Sequence, residues 1–284
     1  GKDILKNLKK YSISHLCGAP IILQMIIDEL KNIKLKNKIN IMTAASPPPP
    51  SILEKIEKKG FVVTHVYGLT ESYGPAVICE WKEKWQKIES SQKKAQLKSR
   101  QGVKYPSLEF LEVMDTKNMK PVNKDGKMIG EVMFRGNIVM KGYLNNNEAN
   151  AEELKKEWFH TGDLAVVHSD GYIELKDRAK DIIISGGENI SSIEIEKTIM
   201  QLKSVSDCAV IGIKNEKWGE VPCAFLESKN KRVSEESVIN FCKEKIAGFK
   251  VPKKVIFLNL PRTSTGKIKK SDLRKIAEGY EDKV

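Results

Sequence analysis

Residues 177–190 read Asp-Arg-Ala-Lys-Asp-Ile-Ile-Ile-Ser-Gly-Gly-Glu-Asn-Ile. Charged residues give way to three isoleucines, which are typical of a buried strand, and the strand runs into the pair Gly186-Gly187. Ser191 and Glu194 then predict a capping box at the start of a helix. We therefore expect a functional site at a domain boundary here. The alternative is a surface turn in which the two glycines only supply positive φ angles.

The size and charge of the chain limit the classes it can belong to. Its 284 residues are enough for two ordinary domains, and its net charge of +12 comes mainly from lysines spread along the chain. That spread is typical of a solvated surface, so a nucleic-acid partner is not predicted. The cysteines lie far apart without a Cys-x-x-Cys pair, so neither a zinc site nor a disulfide framework is predicted. We expect all of them to be reduced core residues of an intracellular protein: Cys17, Cys79, Cys208, Cys223 and Cys242.

The ends of the chain and its apolar runs bear on location. No apolar run approaches the ~20 residues that a membrane helix needs, so no transmembrane segment is predicted. The chain starts at Gly1 within a helix-like pattern, so we expect it to be a fragment of a longer polypeptide. It ends at Val284 without a peroxisomal signal, and we expect a cytoplasmic or peroxisomal protein.

Strand-like and helix-like segments alternate over residues 1–100, which predicts an α/β subdomain with a parallel sheet. We expect Ser51 to cap a short helix that ends at Gly60. The loops at Ser46 and Tyr67 would follow strands, at the sheet edge where such folds bind ligands. The predicted strands are 11–17, 39–43 and 61–66, with a helix at 21–30; residues 80–100 are polar and partly helical.

The sequence pattern changes after residue 100 from alternating helix-like and strand-like segments to short strand-like segments. Residues 101–178 predict short strands, at 110–114, 130–135, 165–167 and 172–175, the last two joined by a hairpin at Ser169-Asp170-Gly171. They would complete a first domain of residues 1–178. Residues 179–284 predict a compact α+β domain of about a hundred residues. Its expected helices are 195–202, 234–246 and one starting at Ser271, and its expected strands are 208–213, 223–226 and 255–258.

Five short motifs follow one another along the chain: Tyr67–Glu71, Gly130–Gly136, Trp158–Asp163, Asp177–Gly187 and Pro261–Lys267. In this order they resemble the adenylate-forming superfamily, which includes acyl-CoA synthetases, luciferases and the adenylation domains of peptide synthetases. The resemblance covers essentially the whole chain. Residues 81–85 and 100–102 are most similar to plant-type enzymes that act on short- or medium-chain or aromatic carboxylic acids.

The resemblance implies a two-step reaction. A carboxylic acid and ATP form acyl-AMP and pyrophosphate, and the acyl group then passes to the thiol of coenzyme A. Thr70 is implied to hydrogen-bond the α-phosphate, and Glu71 is implied to bind Mg²⁺ through a hard carboxylate oxygen. For both residues the alternative is an ordinary polar loop.

The resemblance also implies a nucleotide site. Tyr67 would stack on adenine, Gly68 would let the backbone approach the nucleotide, and Ser46 would lie on the adenine side. Core packing is the alternative for Tyr67. Asp163 would accept hydrogen bonds from both ribose hydroxyls, and Arg178 would reach the same sugar. The alternatives are an Asx turn for Asp163 and a salt bridge to a neighbouring aspartate for Arg178.

The remaining implied roles lie mostly in the second domain. Lys267 would contact the substrate carboxylate and the α-phosphate, where negative charge concentrates as the adenylate forms; the alternative is a solvated lysine. Lys180 would be the hinge of the small domain, and Gly186-Gly187 would line the tunnel for the pantetheine arm of coenzyme A. His15 would lie near the acyl pocket, unless it is a satisfied core histidine.

One feature of the superfamily is missing. The glycine- and serine/threonine-rich phosphate loop that its members carry upstream does not occur in these residues. Without its backbone N–H groups the β- and γ-phosphates lose their main cradle, so we expect the chain alone to be inactive. The favoured hypothesis is the carboxyl-terminal portion of an acyl-CoA ligase. The alternatives are a non-catalytic remnant that binds AMP or coenzyme A, and a basic nucleic-acid-binding protein, for which no matching motif is visible.

Overall fold

The computed structural model describes residues 1–30, 37–228, 233–263 and 266–279. In these residues the helices are α1 (Lys2–Lys10), α2 (Pro20–Leu30), α3 (Pro50–Lys58), α4 (Ser91–Lys98), α5 (Asn147–Glu153), α6 (Ser192–Ile199), α7 (Glu235–Lys243) and α8 (Lys270–Ala277). None of the helices described is both long enough and apolar enough to cross a membrane.

The strands are β1 (His15–Cys17), β2 (Ile39–Thr43), β3 (Phe61–Leu69), β4 (Gly74–Ile78), β5 (Val103–Lys104), β6 (Phe110–Asp115), β7 (Lys120–Pro121), β8 (Gly130–Arg135), β9 (Leu154–Lys155), β10 (Trp158–Val167), β11 (Ile173–Arg178), β12 (Ile183–Ser185), β13 (Glu188–Ile190), β14 (Val205–Asn215), β15 (Gly219–Ser228) and β16 (Lys254–Phe257). The predicted α/β fold class is confirmed, and the chain divides into two compact units, Gly1–Leu175 and Lys176–Val284.

The first sheet of the first unit has the order β1-β2-β3-β4-β5. Only β1, β2 and β3 are parallel, whereas β4 and β5 run antiparallel to their neighbours. The predicted parallel sheet is therefore confirmed for its three predicted strands, and β4 and β5, which were not predicted, extend it with antiparallel pairing. A parallel neighbour needs a long crossover connection, and β3 instead turns back directly into β4 through a short 3-10 turn, Thr70–Ser72.

Helix α3 begins earlier than the sequence suggested. Pro50 is its first residue, where a proline costs nothing because the first helical N–H has no intrahelical partner. Ser51 lies inside the helix, so its predicted capping role is wrong. Gly60, with φ of 101°, follows the helix end as predicted. The core under this sheet is aliphatic and includes Leu23, Ile26, Leu30, Ile41, Leu53, Ile56 and Val63.

The second sheet of the first unit has the order β11-β10-β8-β6-β7, with β9 paired to β10. The predicted hairpin before β11 is confirmed: the His168 N–H donates to the Tyr172 carbonyl at 2.9 Å, and Gly171 has a φ of 84°. The Arg100 guanidinium lies 4.7 Å from the centre of the Tyr172 ring and pairs with Asp170 at 3.1 Å. The segment from 80 to 100 thus has a packing role beside this hairpin.

The second unit is a sheet of order β13-β12-β15-β14, with β16 parallel to β15. Alternate residues of β14 and β15 point to opposite faces, so each face has its own core. One core lies between the sheet and helices α6 and α7, and it contains Ile195, Ile199, Cys208, Val210, Ala224, Leu226, Val238 and Cys242. The other lies between the sheet and helix α8, and it contains Ala209, Ile211, Cys223, Phe225, Leu273 and Ala277.

The cysteines differ in exposure. Cys17 is exposed, so its predicted place in the core is wrong, because β1 is an edge strand of its sheet. The other four are buried. Burial raises the thiol pKa of Cys79 and Cys223 to about 12 and that of Cys242 to about 11, and it raises the pKa of Cys208 well above its ordinary value.

We expect a single thiol of the native protein to react rapidly with Ellman's reagent near pH ~8, where an ordinary thiol is partly ionised. That thiol is Cys17, because the buried thiols are both inaccessible and protonated. Denaturation should release the other four. Cys17→Ser should abolish the rapid reaction and leave the four thiols that react after denaturation unchanged. Rapid reaction of a second thiol in the folded protein would contradict this burial pattern.

Candidate functional site

The loop after β3 presents two predicted residues side by side. Ser72 is buried, and its hydroxyl accepts from the Leu69 N–H at 3.0 Å and lies 2.9 Å from the Gly74 carbonyl oxygen. These contacts fix the 3-10 turn, so that Thr70 is exposed and Glu71 is half-buried. A tight turn at the end of a strand is thus what places the predicted phosphate and metal ligands together.

Thr70 and Glu71 line a pocket of about 430 Å³. The Met140 N–H donates to the Glu71 carbonyl at 2.7 Å, which ties the turn to the loop after β8. The other residues lining the pocket come from the turn and from this loop: Tyr73, Asn137, Ile138, Val139 and Met140. The pocket is therefore open to a ligand that contacts a hydroxyl and a carboxylate at one end.

The Glu71 carboxylate is held by a residue that the motifs did not indicate. The Tyr143 hydroxyl lies 2.9 Å from Glu71 Oε1 and 2.7 Å from Glu153 Oε2. Burial, together with hydrogen bonds to Glu153 and Glu71, raises the pKa of the Tyr143 phenol, so it stays a donor. No pattern in the sequence around Tyr143 could have identified it.

A single carboxylate in this pocket fits the predicted metal. Among the described residues no group of three or more His, Cys, Asp or Glu side chains could hold a metal ion. Mg²⁺ usually takes one or two carboxylates and completes its shell with substrate phosphate oxygens and water. Glu71 is therefore compatible with Mg²⁺ that arrives with a phosphate ligand, and not with a closed protein cage.

Tyr67 and Asp163 meet although they are far apart in the sequence. The Tyr67 hydroxyl donates to Asp163 Oδ2 at 2.7 Å, and the two residues are only 8% and 4% exposed. The Tyr67 ring packs in the core, with its centre 5.9 Å from that of Phe134. The Tyr67 ring therefore packs in the core, as the alternative interpretation expected. Its hydroxyl hydrogen-bonds Asp163, the predicted ribose ligand.

A bulge in β10 sets the backbone of Asp163. The register between β10 and β8 shifts between His160 and Leu164. The Asp163 N–H donates to Thr161 Oγ1 at 3.1 Å, and Gly162 has a φ of 68°. Asp163 thus lies in a bulge in which a threonine hydroxyl accepts from its backbone N–H.

Gly68 has a reason within the fold. A Cβ atom on Gly68 would lie 2.0 Å from the Gly74 carbonyl oxygen, where β3 and β4 come closest. Only glycine fits this position, whether or not a nucleotide binds. The motif residue is therefore required by the hairpin itself.

Two predicted residues lie elsewhere in the first sheet. Ser46 is exposed in the loop after β2 and follows Ala45, whose φ is 83°. His15 is exposed, and its Nε2 is 3.1 Å from Asn40 Nδ2. The strand register places His15 level with Asn40 and therefore with Val62. The structure thus does not bring His15 to the Thr70 turn, at the far end of β3, and does not bury it as a core histidine.

The glycine pair in the second unit closes a β-hairpin. Ser185 pairs with Glu188, so Gly186 and Gly187 form the whole loop between β12 and β13. Their φ angles of 59° and 86° are those of a type I′ turn, which favours glycine. Both are exposed. The surface-turn interpretation therefore accounts for the backbone of these residues.

The charged stretch before the hairpin is anchored through its aspartates. Asp177 is buried and accepts from the N–H groups of Arg178 at 2.8 Å and Ser192 at 2.5 Å. Burial raises the pKa of the Asp177 carboxyl. Asp181 pairs with Arg274 at 2.5 Å, while Lys180 and Arg178 are exposed in and beside a short 3-10 turn.

The predicted cap of α6 is half formed. Ser191 Oγ accepts from the Glu194 N–H at 3.2 Å, which confirms its capping role. The Glu194 carboxylate does not complete a reciprocal box, because it accepts from Lys250 Nζ at 2.8 Å. An ion pair across the unit therefore replaces the second half of the motif.

Lys267 extends from a closed turn. The Thr263 N–H donates to the Lys267 carbonyl at 2.8 Å, and the Lys267 N–H donates to Thr263 Oγ1 at 3.1 Å. Ser264 and Thr265, the middle of the predicted motif, lie outside the described residues. The Lys267 side chain is exposed, so the turn presents its ammonium group to solvent.

Comparison with known proteins places the chain among enzyme relatives. The AMP-binding enzyme family matches residues 1–144, and the AMP-binding enzyme C-terminal domain matches residues 194–267. The chain is 49% identical to an acetate–CoA ligase of Humulus lupulus, over 96% of this chain and 50% of that protein. It is 43% identical to a peroxisomal trans-cinnamate:CoA ligase of Petunia hybrida, over 98% of this chain and 50% of that protein.

A solved structure has the same fold. The o-succinylbenzoate coenzyme A synthetase of Bacillus subtilis, in complex with ATP and a magnesium ion, superposes with a TM-score of 0.78 at 28% identity. The match covers 96% of this chain and 53% of that one. The chain thus spans about half the length of the proteins that it matches.

Gly68→Ala should lower the free energy of unfolding by about 1–3 kcal/mol, the usual cost of overpacking, because its new methyl group meets a backbone oxygen. Gly248→Ala is the control, since a Cβ there meets nothing within 4 Å, and it should be nearly neutral. Urea denaturation without nucleotide measures both. Wild-type stability of Gly68→Ala would show that the glycine is not required by the fold.

Proposed function

The chain belongs to the AMP-binding enzyme family, and on this basis we propose that it is part of an AMP-forming acid–thiol ligase. The enzyme would convert a short- or medium-chain or aromatic carboxylic acid to acyl-AMP and then to acyl-CoA. The observation that carries the proposal is the convergence of Thr70 and Glu71 on one pocket of the first unit. The relatives named as CoA ligases support the reaction class.

In the first unit, the proposed nucleotide contacts are polar. The exposed Thr70 hydroxyl would donate to the α-phosphate. The Asp163 carboxylate would accept from the ribose hydroxyls while Tyr67 holds one of its oxygens at 2.7 Å. Glu71 would bind Mg²⁺, which lowers the cost of bringing phosphate charge into the pocket. Ser46 would contribute on the adenine side.

In the second unit, the proposed roles divide between two steps. Lys267 would stabilise the charge that builds up on the carboxylate and the α-phosphate during adenylation. Gly187 would leave space for the pantetheine arm during thioester formation. Arg178 would reach the ribose, and Lys180 would be the hinge between the two arrangements.

The phosphate loop is missing from these residues, so the experiment must distinguish a ligase from a non-catalytic remnant that binds AMP or coenzyme A. The full gene product should catalyse ATP–pyrophosphate exchange that depends on a carboxylic acid, whereas residues 1–284 alone should not. A panel of acetate, butyrate, 2-methylpropanoate and cinnamate would then identify the acid. Nucleotide binding by the full gene product without exchange for any acid would favour the remnant.

Lys267→Ala in the full gene product should slow adenylation by roughly 10²- to 10³-fold, the usual loss when one preorganised electrostatic contact is removed. Thioester formation from supplied acyl-AMP should stay within a few-fold of wild type. Lys269→Ala is the matched control, an exposed lysine two positions away that should change neither step. Equal losses in both steps for Lys267→Ala would contradict its assignment to adenylation.

Gly187→Asn should slow thioester formation while adenylation continues, because asparagine tolerates a positive φ but adds bulk beside the proposed thiol path. Gly171→Asn is the matched control: its φ of 84° is close to the 86° of Gly187, and a Cβ at either glycine meets nothing within 4 Å. Stopped-flow assays of pyrophosphate release and of CoA consumption separate the steps. If both variants affect thioester formation alike, Gly187 is only a turn residue.

A further inference from the structure

The bulge that carries Asp163 is held from outside its own strand. Between the pairs His160–Met133 and Leu164–Glu131, β10 contributes Thr161, Gly162 and Asp163, whereas β8 contributes only Val132. Extra residues in a bulge cannot use the regular ladder of backbone hydrogen bonds. Their buried polar groups need other partners, and those partners decide where the bulge points.

Glu131 supplies the charged part of this support. Its carboxylate is buried, with only 8% of the residue exposed. Oε1 accepts from the Gly162 N–H at 3.0 Å, and Oε2 lies 3.0 Å from His160 Nδ1. A hydrogen bond from the ring to the carboxylate requires the proton of the imidazole to be on Nδ1. The Glu131 side chain therefore contacts both Gly162, at the centre of the bulge, and His160, where the register shift begins.

The position of the His160 ring depends on this contact. His160 Nε2 is buried and has no hydrogen-bond partner in the described part of the chain. No hydrogen bond on that side of the ring therefore competes with Glu131 for its orientation. Thr161 Oγ1 adds local support for the bulge, since it donates to the Val132 carbonyl at 2.7 Å.

We propose that Glu131, acting with His160, is a positioning residue for Asp163. It fixes the bulge so that the Asp163 carboxylate, held by Tyr67 on one oxygen, is aimed at the two hydroxyls of the ribose. This inference rests on the proposed function, since it requires a nucleotide at Asp163. Glu131 touches no substrate, and its effect passes through the Gly162 backbone.

The consequence is a specific change in sugar recognition. A hydrogen bond from a sugar hydroxyl to a charged acceptor typically corresponds to at least about a 10-fold preference. If Glu131 only stabilised the fold, its loss would weaken the binding of all nucleotides by the same factor. If it aims Asp163, its loss removes the preference for a hydroxylated ribose and leaves binding of a deoxygenated sugar nearly unchanged.

The experiment is calorimetric titration of the full gene product with AMP and with 2′,3′-dideoxy-AMP. The wild-type protein should prefer AMP by at least about 10-fold. Glu131→Ala should reduce this preference to less than about 3-fold. Glu131→Gln keeps an oxygen for the Gly162 N–H and should restore much of the preference, and it serves as the readout if the alanine variant folds poorly.

Glu174→Ala is the matched control. The Glu174 carboxylate lies 2.9 Å from His168 Nε2, a second glutamate–histidine pair in the same sheet but outside the bulge. It should keep the wild-type preference. An unchanged ratio in Glu131→Ala, with both nucleotides bound normally or weakened equally, would overturn the positioning role.

Asp163→Asn separates this inference from the function on which it rests. It should lose the preference for AMP as Glu131→Ala does. If the wild-type protein fails to bind AMP, or does not distinguish the two nucleotides, the ribose site at Asp163 is wrong and the inference falls with it. If Asp163→Asn loses the preference and Glu131→Ala keeps it, only the inference is overturned.

Discussion

A buried carboxylate is costly unless it is hydrogen-bonded, and Asp163 meets this requirement partly through the Tyr67 hydroxyl, at 2.7 Å. The requirement connects two sheets of the first unit, because Tyr67 lies on β3 and Asp163 on β10. The turn at Thr70 begins just beyond Tyr67, so the same strand that satisfies Asp163 also delivers Thr70 and Glu71. The geometry of the proposed nucleotide site follows from keeping one buried carboxyl group hydrogen-bonded.

In the second unit, buried charged groups are likewise hydrogen-bonded, here in a network of several side chains. Lys270, the first residue of α8, lies 2.6 Å from Ser192 Oγ and 2.9 Å from Glu196 Oε1. Burial alone would lower the pKa of Lys270, but Glu196 and Asp177 raise it, so the lysine stays charged. Because Ser192 also donates to Asp177, the helix after Lys267 is fixed to the segment that contains Lys180. The proposed catalytic lysine and the proposed hinge thus share one buried anchor.

Some features with a local sequence signal were predicted correctly, whereas features that depend on contacts between distant residues were not. The bounds of β2 and β8 were predicted correctly, because alternation or continuous burial of apolar residues is a local signal. The parallel pairing of β1, β2 and β3 was predicted, but β4 and β5 were not, since the return of the chain as an antiparallel strand depends on a turn and not on strand composition. Tyr143 was missed because its importance comes from its contact with Glu71, which is 72 residues away in the sequence. Asp163 was predicted as the ribose ligand from a motif, but the contact of Glu131 with the neighbouring bulge became visible only with the register of β10 and β8.

The motifs mix residues that the fold requires with residues that it does not, and this distinction bears on the remnant hypothesis. Gly68 leaves no room for a Cβ, so its presence says nothing about catalysis. Gly186-Gly187 likewise suits a two-residue hairpin. The hydroxyl of Thr70, by contrast, is exposed and has no hydrogen-bond partner in the part of the chain described, and the Lys267 side chain extends into solvent. Packing and hydrogen bonding within the fold explain neither side chain. Their chemistry, a donor and a cation suited to phosphate and carboxylate oxygens, is therefore better support for a ligase than the glycines that make the motifs recognisable.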